Sequence, residues 1–139
     1  MPAKDIFHDK VRRALEKDGW TITDDPYSLK WDDNKNLFVD LAAEKLLAAQ
    51  KDSEKIAVEI KTFIGKSTMQ DLHLAIGQFV VYRTAIQEKE PDRILFLAVP
   101  MEILRDVFGT YKAGILVEGI GLKLFGFDVE KEVIVEWKK

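Results

Sequence analysis

The residues of this chain whose types and spacing suit chemistry are Asp40, Glu59 and Lys61. Asp40 interrupts an apolar run, Leu37-Phe38-Val39-Asp40-Leu41-Ala42-Ala43, where an ionised carboxylate is costly without a partner. Glu59 and Lys61 lie in Val58-Glu59-Ile60-Lys61, and side chains alternate along a strand, so both point to one face. A neighbouring strand can bring Asp40 beside them. Two carboxylates with the backbone carbonyl of Ile60 suit Mg²⁺ (or Mn²⁺), and Lys61 suits positioning or deprotonating a water, as metal-assisted phosphodiester hydrolysis requires. The plainer alternative is an ordinary strand-end Asp and a solvated Glu/Lys pair.

The elements around these residues can be read from periodicity and breakers. Phe7, Val11, Ala14 and Leu15 recur at helical spacing, which predicts a helix from Asp5 to Asp18 stopped at Gly19. Short extended pieces follow at Trp20 to Thr23 and Tyr27 to Trp31. The polar turn Asp32 to Asn36 then leads into a strand expected over Leu37 to Ala43, and the next strand is expected over Lys55 to Phe63. After Gly65-Lys66-Ser67, two capping-box patterns (Ser67 with Gln70, Thr68 with Asp71) open a long helix to about Glu88. Its apolar residues, Met69, Leu72, Ile76 and Phe79 on one side with Leu74, Val80 and Val81 elsewhere, predict a well-buried helix. Ile94 to Val99 reads as a central strand, Pro100 opens a short helix through Phe108, and Ile115 to Lys139 is expected to form three short strands. Helices alternating with strands predict one α/β domain over 1–139 with a mixed sheet flanked by helices and a C-terminal β-rich extension.

Further residues are candidates by position. Gln78 and Tyr82, four apart, share a helix face and suit substrate contact or plain helix packing. His8, Arg12 and Glu16 form a polar face of the first helix that can approach the site, although a solvated surface suits Arg12 and Glu16 equally. Gly65-Lys66-Ser67 lacks the glycine that a phosphate-binding loop needs at position 60, where Ile60 stands, so it reads as a turn whose Lys66 can touch a DNA phosphate. Glu44 shares strand parity with Asp40 and is either a supporting carboxylate or a surface residue. His73, Trp20, Trp31 and Trp137 read as packing residues.

Composition narrows the classes. With 24 Asp+Glu against 21 Lys+Arg and a net charge of −3, any nucleic-acid contact must be local. The chain has no cysteine and two histidines, which excludes a disulfide framework and a cysteine zinc site. No apolar run is long enough to span a membrane and the start carries no export signal, so a cytoplasmic location is expected.

Two resemblances add to this reading. Asp40, then about twenty residues, then Glu59-Ile60-Lys61 resembles the signature of the restriction-endonuclease-like, PD-(D/E)xK, nucleases, and the predicted element order matches their αβββαβ core. Gln78-x-x-x-Tyr82 is similar to a helix motif that contacts substrate in several of them. Val39 stands where a proline would precede the Asp, and His8 lies near the place where many such nucleases put a Glu ligand. Over its whole length the chain resembles the fdxN-element excision controlling factors of the XisH type, from cyanobacteria. The strings that carry this are Met1-Pro2-Ala3-Lys4-Asp5-Ile6-Phe7-His8, Asp18-Gly19-Trp20-Thr21-Ile22-Thr23-Asp24-Asp25-Pro26-Tyr27, Asp40-Leu41-Ala42-Ala43-Glu44-Lys45, Val58-Glu59-Ile60-Lys61-Thr62-Phe63 and Gly77-Gln78-Phe79. That resemblance implies the same fold and programmed excision of a DNA element, beside a site-specific recombinase and an XisI-type companion protein. It leaves two functions open: a metal-dependent nuclease-fold protein acting on DNA, or a non-catalytic regulatory subunit. A homodimer formed through Ile115 to Trp137 is a further expectation.

Overall fold

The computed structural model describes residues 5–47 and 52–139; the Met1 to Lys4 start read above lies outside them. The first helix, α1 (His8–Lys17), begins three residues later than expected, because the Asp5 side chain accepts the Phe7 N–H at 2.8 Å and holds the chain in a turn. Gly19 then lets the chain reverse with φ of 95°. Strand β1 (Thr21–Asp24) follows, then a hairpin of β2 (Tyr27–Asp32) and β3 (Lys35–Val39) that forms its own two-stranded sheet.

The strand expected over Leu37 to Ala43 is two strands. The chain leaves β3 at Val39, and β4 (Leu41–Leu47) starts at Leu41 in the larger sheet, with Asp40 as the joint. A uniform apolar run cannot show that its two halves pair with different partners. Strand β5 (Asp52–Ile60) pairs antiparallel with β4, from Leu41 opposite Val58 onward, and ends at Ile60, short of the expected Phe63.

Helix α2 (Thr68–Lys89) is capped by Ser67, whose hydroxyl accepts the Gln70 N–H at 3.2 Å. It is less buried than expected: Ala75, Phe79, Ala85 and Ile86 face the core, while Met69, Leu74, Val80, Val81 and His73 are exposed. Strand β6 (Arg93–Pro100) lies at the centre as predicted, parallel to β5 on one side and to β7 (Leu124–Asp128) on the other. Helix α3 (Met101–Asp106) begins after Pro100 as expected.

The C-terminal expectation is corrected at its first strand. Ile115 falls in a helix, α4 (Tyr111–Ile120), closed by Gly121 in the left-handed conformation at φ of 64°. A short apolar run fits either period, and the glycine here ends a helix. Strands β7 and β8 (Val133–Lys138) are present and complete the sheet order β1-β4-β5-β6-β7-β8. Setting the hairpin aside, α1-β1-β4-β5-α2-β6 is the expected αβββαβ core of a restriction-endonuclease-like α/β fold.

Each face of the sheet carries its own core. Val11, Leu15, Trp20, Leu41, Ile56, Val58, Phe96, Phe125 and Phe127 pack on the α1 side, while Tyr27, Leu29, Ala42, Ala57, Phe79, Ile86, Leu95 and Leu97 pack on the α2 side. Within the segment expected to be a dimer surface, Leu122 and Leu124 to Phe127 are buried while Ile115 and Val135 are exposed, and Trp137 is set against Phe96, Phe125 and Trp20. Trp20 packs as expected, but Trp31, near the hairpin tip, is 49% exposed.

At the end of the sheet where β6 begins, buried Arg93 ties the layers together. Its guanidinium forks onto Glu90 at 3.0 and 3.2 Å, donates to the Ile56 carbonyl at 2.9 Å and lies over the Tyr27 ring. Removing one partner of a buried charge pair strands the other. Arg93→Met should therefore lower stability by about 2–3 kcal/mol, read as a fall in the urea midpoint with the slope unchanged.

Candidate functional site

The site lies where β4 and β5 meet. Along β5, Ile56, Val58 and Ile60 belong to the α1-side core, which turns Ala57 and Glu59 to the α2 side. On the next strand Ala42 faces α2, so Asp40, two residues earlier, comes to the same face. Residues 40 and 59 are thus on one side of the sheet.

Their contact is reciprocal. The Asp40 N–H donates to Glu59 Oε1 at 3.2 Å, and the Ile60 N–H donates to Asp40 Oδ2 at 2.8 Å. Asp40 stands in for the partner that β5 lacks beyond Val58 on its β4 edge, and its carboxylate comes beside that of Glu59. Lys61 Nζ sits 3.5 Å from Glu59 Oε2, and the Lys61 N–H is held by the Ala98 carbonyl at 2.9 Å. The three expected residues therefore meet.

Glu59 is 6% exposed. Burial, then the negative charge of Asp40, push its carboxyl up to about 8, against a smaller opposing pull from Lys61; the two carboxyls are near enough to share a proton. Tyr82 on α2 overlooks the pair: burial, then the charges of Glu59 and Asp40, push its phenol up to about 12. Gln78, one turn earlier, has its side-chain oxygen buried without a partner.

The other candidates are distributed differently. His8 is buried but turns to Asp25, with Nε2 2.7 Å from Oδ1, while Arg12 Nη1 donates to Asp25 Oδ2 at 2.6 Å; neither meets the acid pair directly. Glu16 is exposed on α1. Glu44 is 3.8 Å from Arg93, midway along β4, four positions on from Asp40 and in the Arg93 cluster. Lys66 is exposed on the turn between β5 and α2.

Sequence reasoning missed Asp5. It lines a cleft of about 190 Å³ with Ile60, Lys61 and Thr62, and its carboxyl is raised chiefly by half-burial and further by Asp40, with Lys61 and the Phe7 N–H opposing. Asp5 precedes a helix in a segment without periodicity, so no pattern singles it out. Asp25, which anchors His8 and Arg12, was legible only as part of a turn.

The donor set fits a magnesium-sized cation. Asp40 and Glu59 supply carboxylate oxygens, and Ile60, whose N–H points at Asp40, directs its carbonyl to the same strand edge, beyond the last β4–β5 pair. Among the described residues no three acidic, His or Cys side chains converge to cage a metal. Two carboxylates and a carbonyl suit Mg²⁺, which keeps several of its waters.

The raised Glu59 carboxyl makes a stability prediction. The folded protein keeps this proton up to about pH 8, whereas an unfolded Glu loses it near the ordinary value of 4.5. Stability contributed by the protonated form is complete below that ordinary value and is lost as pH rises through the window. Glu59→Gln removes the titration, so its advantage over the parent chain should be small near pH 5 and about 1–2 kcal/mol at pH 8. Thermal melts at the two pH values check this; an identical difference at both means Glu59 holds no extra proton.

Comparison with known proteins places this geometry in context. Residues 1–135 match the family model described as XisH protein. A crystal structure of an XisH family protein from Nostoc punctiforme PCC 73102 superposes with a TM-score of 0.86 at 39% identity, covering 97% of this chain and all of that one. A crystal structure of an fdxN element excision controlling factor protein from Anabaena variabilis superposes with the same TM-score at 40% identity, over 98% of this chain and all of that one. No curated protein matches the chain.

Proposed function

Because the chain belongs to the XisH family, we propose that it serves the excision of a DNA element through a divalent-cation site at Asp40, Glu59 and Ile60 that acts on DNA phosphodiesters. The excision role rests on the relative from Anabaena variabilis, which is described as an excision controlling factor. The phosphodiester chemistry rests on one observation, the reciprocal pairing of Asp40 with Glu59 beside Lys61.

Two adjacent carboxylates, one of them buried, repel each other, and a divalent cation relieves that repulsion better than a shared proton does. Bound there, Mg²⁺ or Mn²⁺ would supply a more acidic water and neutralise charge on a scissile phosphate. The chain's own groups do the rest. Asp40 and Glu59 would hold the cation, and the Ile60 carbonyl would add a ligand. Lys61, now 3.5 Å from Glu59 Oε2, would orient the attacking water or steady charge on the phosphate. Tyr82 lies above the pair with a phenol that stays protonated well past neutral pH, so it can donate a hydrogen bond to a phosphate oxygen. With a net charge of −3, Lys61 and exposed Lys66 provide positive charge locally.

A second reading has support from a specific observation. Met69, Leu74, Val80 and Val81 are exposed apolar side chains on α2, which suits a regulatory subunit that docks on an XisI-type companion or a recombinase, or pairs as a homodimer. Among the described residues no helix is long and apolar enough to cross a membrane.

Calorimetric titration with Mn²⁺ and a cleavage assay over single-stranded, duplex and branched DNA separate the readings. The parent chain should bind the ion and nick at least one substrate. Asp40→Asn should weaken ion binding at least about tenfold and, like Lys61→Met, cut the rate at least about a hundredfold. Absence of both ion binding and cleavage favours the regulatory reading.

A further inference from the structure

Strand β7 covers only part of the edge of β6. The ladder between them begins at Leu97 with Leu124, and the Leu97 N–H reaches the Lys123 carbonyl at 2.9 Å. Backbone groups alternate in direction along a strand, so the N–H and C=O of Leu95 point to that same edge, ahead of the first β7 partner. A cavity of about 240 Å³ lies there, with Leu95 in its wall. The buried side chains of Phe79 and Ile86, on the core-facing stripe of α2, line it together with Leu95.

Two cationic side chains border the cavity. Arg83 lies over the Phe79 ring at 5.1 Å and is fixed through Nη1, which donates to the Ile120 carbonyl at 2.6 Å and the Gly121 carbonyl at 3.4 Å, so neither its Nη2 nor its Nε is held by a carboxylate. Lys123 forms no ion pair among the described residues. Arg93 also lines the cavity, but its guanidinium is committed to Glu90. Among the described residues no acidic side chain lines this space, so the charges of Arg83 and Lys123 are unmatched within it.

An occupant must bring negative charge for Arg83 and Lys123, apolar bulk for Phe79 and Ile86, and peptide-like groups for the Leu95 edge. The space is below the roughly 300 Å³ at which small-molecule pockets usually begin, too little for a nucleotide with its sugar and base but enough for one side chain with its main-chain end. We propose that this cavity captures the C-terminal residue of a partner protein, with an apolar last side chain against Phe79 and Ile86, the α-carboxylate between Arg83 and Lys123, and the main chain along the Leu95 edge. The acid pair at the end of β5 takes no part in it.

Amide chemical shifts of the isotope-labelled chain test this in titrations with two acetylated tripeptides, one ending in leucine and one in phenylalanine, each as the free acid and as the C-terminal amide, and with sodium acetate. At least one free acid should shift the Leu95, Gly121 and Lys123 amides and bind at least about tenfold more tightly than its amide. Lys123→Ser should weaken that binding about tenfold with the melting temperature unchanged, and Lys123→Arg should retain it. Equal binding of acid and amide, shifts confined to other parts of the chain, or affinity that survives Lys123→Ser overturns the proposal. Acetate binding as tightly as the peptides makes the cavity a simple anion site and overturns the terminal-residue reading, as does the absence of a saturable response to every probe.

Discussion

The structure turns on two hydrogen bonds that cross between side chain and backbone, Asp40 N–H to Glu59 and Ile60 N–H to Asp40. They occur where the chain must leave the β2–β3 hairpin and enter the large sheet, a point at which neither ladder can satisfy the backbone. A carboxylate at the joint solves this problem, because it accepts the N–H that the ended ladder leaves over. The same solution brings two negative groups together on the face covered by α2. Chain routing and site assembly are therefore one event, and a neutral aliphatic residue at position 40 would forfeit both.

That arrangement is electrostatically expensive. Glu59 is buried next to the Asp40 carboxylate and is driven to hold a proton, because Lys61 compensates only part of the burial. Proteins keep strained clusters of this kind where a ligand relieves them, and stability is commonly lost at such places in exchange for function. The surrounding frame can bear it. β5 and β6 are buried on both faces, and the Arg93 cluster with Glu90, Tyr27 and the Ile56 carbonyl clamps hairpin, helix and sheet at the opposite end. A rigid base at one end lets the other end hold a pair of repelling groups.

The N-terminal segment completes the mouth of the site from the other face of the sheet. Asp5 reaches the cleft beside Lys61, and the Asp25 clamp on His8 and Arg12 fixes the helix behind it. Burial pushes the Asp25 carboxyl up, but Arg12 and His8 outweigh it and hold it below the usual range. His8 is thereby a member of the clamp, and its remaining ring nitrogen is buried without a partner.

The sequence alone determined what depends on local pattern. Strand alternation put Glu59 and Lys61 on one face, helical spacing and a Ser67 cap located α2, and the β-branched run Ile94 to Val99 announced the central strand. It also held the Asp40, Glu59 and Lys61 set, since a carboxylate inside an apolar run is a chemical anomaly visible without coordinates. Only the tertiary structure decided that Asp40 splits one apparent strand between two sheets, that Ile115 lies in a helix, that Glu44 and His8 serve other clusters, and that Asp5 joins the cleft. The reason is physical: periodicity reports which way neighbours point along one element, whereas ladder partners, helix-to-sheet contacts and the meeting of charges distant in sequence are fixed by packing between elements.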